Sequence, residues 1–149
     1  MSRPHTVAPR WLLHPFMVAA FPVLSLYAAN IDRFTLGVVV VPLVGVIVVS
    51  MLLVGALAWL LDWRRAGLLV SIWWLFVFSF GHLAEALATV GLRGWGLMGL
   101  WLPALLLSGW LVARTRRRLV QFTRILNFAS VCLLALPLVQ IVQIGRAHV

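Results

Sequence analysis

The sequence predicts an all-α fold: an integral membrane bundle of five transmembrane helices, with the N-terminus inside and the C-terminus outside. Three observations carry this. Of 149 residues, 64% are hydrophobic and 10% charged, with a mean hydropathy of +1.09, and no soluble domain of this size hides so much apolar surface in one core. Five apolar stretches are each long enough to cross a hydrocarbon layer of about 30 Å, which takes about 20 helical residues. The arginines between them fall almost entirely on alternate loops.

The first span runs from about Trp11 to Ile31. Arg3 and Arg10 ahead of an apolar run mimic a signal peptide, but cleavage after Ala29 would put Tyr27 where a small residue is needed, and four more spans follow. The second span, Thr35 to Leu61, is the longest and is expected to tilt. The third covers Gly67 to Val90, the fourth Trp95 to Ala113, and the fifth starts at Leu119 or Ile125 and ends at Val142. Pro22, Pro42, Pro103 and Pro137 lie inside spans. Membrane helices tolerate such prolines when neighbours satisfy the freed carbonyls, so they argue for a packed bundle. There is no internal repeat, inverted-half pattern or GxxxG pair to suggest a transporter fold or a close helix dimer.

Orientation follows from charge. Arg3, Arg10, Arg64, Arg65, Arg114, Arg116, Arg117, Arg118 and Arg124 lie before span one or in the second and fourth loops, whereas the other loops hold Arg33 and Arg93. This is a positive-inside bias over short loops. Trp11, Trp59, Trp63, Trp95, Trp101 and Trp110 sit at or near span ends, where an amphipathic ring suits the interface; Trp73 and Trp74 are deeper, facing lipid or packing. The net charge of +9 comes from arginine without any lysine. These arginines flank apolar spans and form no basic stripe with aromatics, so anionic phospholipids, not nucleic acid, are the expected partner. Arg114, Arg116, Arg117 and Arg118 are the densest group, each worth about 1 kcal/mol near an anionic surface.

An ionisable group in hydrocarbon costs about 2.5–3.5 kcal/mol on insertion scales, which singles out His82 and Glu85 in span three. They are three residues apart on one helical face. Tyr27 and Asn30 of span one lie near the same outer level, so Tyr27, Asn30, His82 and Glu85 form a candidate outer-leaflet cluster. It either ties helices together, through hydrogen bonds among these residues or to Arg93, or it receives a lipid head group or substrate. His14 and Asn127 lie near the inner ends of spans one and five; His14 and His82 are at different depths, which argues against a bis-histidine haem. No nucleophile, metal or nucleotide motif occurs, and Asp32, Asp62 and Glu85 are the only acidic residues. The single Cys132 lies mid-span and reads as a packing residue. No catalytic, cofactor or metal residue is therefore assigned.

The final IGRAHV, Ile144 to Val149, resembles a translated sequencing adapter, which would make 144–149 non-native and residues 1–143 the opening domain of a longer protein. The segments LHPFMVAAFPVLSLYAAN (Leu13 to Asn30), LLVSIWWLFVFSFGH (Leu68 to His82) and LNFASVCLLALPLVQI (Leu126 to Ile141) resemble the N-terminal membrane region of bacterial proteins that carry a sulfatase-like domain of the alkaline phosphatase superfamily after the last span. The layout is also similar to that of lipoteichoic acid synthases. The resemblance implies a metal-dependent hydrolase or transferase of sulfate or phosphate esters, with any divalent metal and all catalytic residues in the following extracytoplasmic domain. The expectation is thus a multi-pass anchor in a bacterial plasma membrane, and absence of lysine fits a gene of high G+C content. The rival readings are a complete small polytopic protein acting as a transporter subunit or assembly factor, and the opening of a lipid- or sugar-modifying integral enzyme.

Overall fold

The computed structural model describes residues 11–115 and 119–147. Five helices occupy most of that length: α1 (His14–Ala29), α2 (Leu36–Leu60), α3 (Trp63–Ala88), α4 (Trp95–Arg114) and α5 (Leu119–Ala147). Helices α2 to α5 are long and apolar enough to cross a membrane. Helix α1, with 16 residues, is about 24 Å long.

The first helix is shorter than the hydropathy predicts, and the cause is Pro15 in its first turn. Extending the helix back through Trp11 would press the Pro15 ring against the Trp11 carbonyl and cost a donor, so the helix begins beside the proline. At its far end the Asn30 backbone N–H donates to the Tyr27 carbonyl at 2.9 Å, and the Asn30 amide donates to the Leu26 carbonyl at 2.9 Å.

The third helix starts earlier than expected, at Trp63. Asp62 explains this: its carboxylate accepts from the backbone N–H groups of Arg64 and Arg65, both at 3.1 Å, and pairs with the Arg65 side chain at 2.9 Å. The two arginines thus form the first turn of a capped helix. After α3 the chain turns through Gly91, whose φ of +82° suits glycine, with Leu92 N–H donating to the Leu87 carbonyl and Gly91 N–H to the Ala88 carbonyl. Helices α2 and α4 match their expected spans within one residue. Helix α5 runs past Val142 through Ala147, so the first part of the adapter-like tail continues the helix; His148 and Val149 lie outside the described residues.

Side-chain contacts fix the helix directions. Asn127 meets Leu13 and His14 while Ser130 meets Met17, so α1 and α5 run parallel. Helix α3 follows the same direction, with Ser71 beside His14 and His82 in the groove that also holds Leu26. Trp74 meets Ser50, and Phe76 and Phe80 meet Trp101 while Leu69 lies 3.7 Å from where a Gly109 Cβ would stand, so α2 and α4 run antiparallel to α3. Arg64, Arg65, Arg114 and Arg124 therefore share one end of the bundle, with Arg33 and Arg93 at the other.

Helix α3 touches every other helix, whereas α4 packs on α3 alone. The core joins Ala19, Val54, Ala66, Val70 and Trp74, all at most 6% exposed. Trp74 belongs to this core and its indole donates to Ser50 at 2.8 Å, while the Ser50 hydroxyl donates to the Val46 carbonyl. Trp101, expected near an interface, instead packs its ring on Phe76 and Phe80 and holds α4 to α3. Much of the outer surface remains apolar, including Val41, Leu52 and Leu106, as a lipid-exposed surface requires.

Gly67 admits Leu12 so closely that a Cβ there would stand 2.5 Å from its Cδ2, whereas one at Gly45 would meet nothing within 4 Å. Gly67→Val is expected to lower stability by about 1–3 kcal/mol through overpacking. Gly45→Ala is expected to be neutral or to stabilise by up to about 1 kcal/mol. Denaturant titration in mild detergent checks both.

Candidate functional site

Two polar features stand out inside the bundle. The first lies toward the arginine-rich end. Pro15 stops α1 from winding back, leaving the Trp11 carbonyl and the Leu13 and His14 N–H groups without helical partners. Asn127, eight residues into α5, meets all three. Its Oδ1 accepts from Leu13 N at 3.1 Å and His14 N at 3.0 Å, and its Nδ2 donates to the Trp11 carbonyl at 2.8 Å. One amide side chain thus supplies in trans what a capping residue supplies locally.

His14 extends this clamp to α3. Its ring is fully buried and Nδ1 shares a hydrogen bond with Ser71 Oγ at 2.6 Å, while Nε2 has no partner among the described residues. Ser130, one turn beyond Asn127, donates to the Asn127 carbonyl at 3.0 Å and approaches Met17 Sδ at 3.6 Å. These contacts fix the register of α1 against both parallel neighbours.

The second feature is a groove of about 680 Å³ toward the opposite end. Its walls are α1 between Val18 and Leu26, α3 between Trp74 and His82, and Leu133 of α5. The lining is mainly apolar, with Ser25, Ser79 and His82 as its polar points. Ser79 turns its hydroxyl back to the Leu75 carbonyl. Ser25 and His82 have no hydrogen-bond partner among the described residues, and Pro22 has no N–H to offer the Val18 carbonyl one turn earlier.

The predicted outer cluster divides in this structure. His82 is exposed and reaches the groove beside Ser25 and Leu26, so it does approach α1. Glu85 is exposed one turn farther on, Tyr27 is buried in α1, and Asn30 spends its amide on its own helix. Among the described residues, no hydrogen bond joins Tyr27, Asn30, His82, Glu85 or Arg93 to one another. Of the predicted lipid-contact arginines, Arg114 lies over the Trp110 ring at 5.0 Å from its centroid, and Arg116, Arg117 and Arg118 lie outside the described residues.

The sequence placed His14 and Asn127 at similar depth but did not show that they meet. The available signal was Pro15, which marks a helix start and so demands partners for the groups before it. Among the described residues, no three of His, Cys, Asp and Glu gather as a metal site. Comparison with protein-family models, curated proteins and solved structures gives no match to this chain.

Asn127→Ala removes the partner of three backbone groups, the part-buried His14 N–H and the exposed Leu13 N–H and Trp11 carbonyl, and is expected to cost about 1–2 kcal/mol. Asn127→Asp in its protonated form keeps an acceptor for Leu13 and His14 and one O–H donor for the Trp11 carbonyl, in a geometry that differs from that of the amide. Its expected loss lies between wild type and Asn127→Ala at a pH where the carboxylate is protonated. Unfolding titrations of the three proteins check the order.

Proposed function

We propose that this chain is a multi-pass anchor and scaffold in a bacterial plasma membrane, with all five helices crossing, the arginine-rich end in the cytoplasm, and α5 leading outward to a sulfatase-like catalytic domain. The observation that carries the reading is the parallel direction of α1, α3 and α5, with Arg64, Arg65, Arg114 and Arg124 gathered at one end. Short loops rich in arginine are retained on the cytoplasmic side.

The short first helix fits a crossing once its lead-in is counted. Three non-helical residues before α1 add up to about 10 Å to its 24 Å, giving roughly the 30 Å of a hydrocarbon core. Non-helical backbone at such depth needs hydrogen-bond partners within the protein, and Asn127 supplies them to Trp11, Leu13 and His14.

At the cytoplasmic end Arg114, held over Trp110, joins Arg116, Arg117 and Arg118 in attracting anionic phospholipids. The sulfatase-like assignment rests on the resemblance of the three segments. Hydrolysis or transfer of sulfate or phosphate esters, and any divalent metal it uses, belongs to the domain beyond α5.

A reporter active only outside the cytoplasm is expected to be active when fused after Val142 and silent when fused after Arg65. The opposite pattern overturns the orientation and the delivery of a domain to the outside. The gene downstream of Val142 is expected to continue into a sulfatase-like frame; a natural stop there would favour a small polytopic subunit or assembly factor.

A further inference from the structure

From the groove between α1, α3 and α5, we infer a binding site for one phospholipid, whose acyl chain lies along the groove and whose glycerol-phosphate region is hydrogen-bonded by Ser25 and His82. The depth of the groove identifies the occupant. Helix α3 has 26 residues, so its middle falls close to Trp74, which lines one end of the groove. His82 lines the other end, about 12 Å farther along the helix axis. Half of a hydrocarbon core is about 15 Å. The groove therefore begins near the bilayer midplane and ends just below the head groups, the path taken by one lipid tail of one leaflet.

Its polar points have the matching order. Apolar residues line the deeper part, while Ser25 and His82 lie toward the head-group side. Ser50, Ser71, Ser79, Ser108 and Ser130 all make hydrogen bonds. Ser25 alone among the described serines does not, although a helical serine in an apolar setting ordinarily turns to a carbonyl one turn back. An unmet hydroxyl and imidazole at the shallow end of an apolar groove call for an oxygen-rich group joined to a hydrocarbon chain. Ester and phosphate oxygens accept from both, and the chain covers the apolar wall. A volume of about 680 Å³ is in the range of formed ligand sites, about 300–1,000 Å³. Which leaflet supplies the lipid rests on the orientation proposed above; the groove and its polar end do not.

The test uses the whole chain in phosphatidylcholine vesicles containing a minor share of phosphatidylglycerol with a diazirine on one acyl chain. After irradiation, adducts are mapped by mass spectrometry. Adducts are expected to concentrate at Leu75, Phe78 and Leu133 and to be displaced by unlabelled phosphatidylglycerol. Ser25→Phe, which fills the groove, is expected to abolish this labelling. Ser25→Ala and His82→Ala leave the groove open and are expected to weaken it about fivefold each, the effect of one hydrogen bond. Labelling spread equally over Val41 and Leu106, labelling without competition, or groove residues cross-linked to a second copy would overturn the site. Groove labelling is independent of which way the chain faces, so its failure is separate from a failure of the reporter fusions.

Discussion

A backbone N–H or C=O without a partner is costly wherever water is scarce, and the helix start at Pro15 leaves the Trp11 carbonyl and the Leu13 and His14 N–H groups without helical partners. Their satisfaction by Asn127 ties the beginning of the chain to its last helix, across more than a hundred residues. The rest of the arrangement follows from that tie. With α1 fixed in parallel register beside α5, His14 reaches Ser71, Leu12 settles against Gly67, and α3 becomes the element that all other helices touch.

The two halves of the bundle differ in how they treat polar side chains. Toward the arginine-rich end, Asn127, His14, Ser71 and Ser130 use one another or the backbone and close the packing. Toward the other end, Ser25 and His82 line an open groove without partners among the described residues. Interhelical hydrogen bonds in membranes are modest individually, so a set sharing backbone groups at one level determines register better than isolated pairs. The bundle is held together by hydrogen bonds at one level and open as a groove at the other.

Much of this was legible in the sequence, and the failures have identifiable causes. Hydropathy located α2 and α4 within a residue because strong polar breaks bound them. It overran α1 because apolarity does not register the steric effect of Pro15. It began α3 too late because Arg64 and Arg65 were counted as loop, whereas Asp62 makes them a capped first turn. Depth along a span was readable, so His14 with Asn127, and Tyr27 and Asn30 with His82 and Glu85, fell into sensible layers. Rotation of each helix about its own axis was not readable in nearly uniformly apolar segments. That missing angle separates the clamp, whose members meet, from the outer residues, of which only His82 reaches the groove.

The parallel register of α1 and α5 is the central claim, and disulfide trapping in native membranes tests it most directly. In a Cys132→Ala background, the pair Met17→Cys and Ser130→Cys is expected to cross-link, because residues 17 and 130 face each other at one level of α1 and α5, where Ser130 Oγ approaches Met17 Sδ. The pair Ala29→Cys and Ser130→Cys, separated along α1 by about 18 Å of helix, is expected not to. Cross-linking of the second pair but not the first would contradict the account.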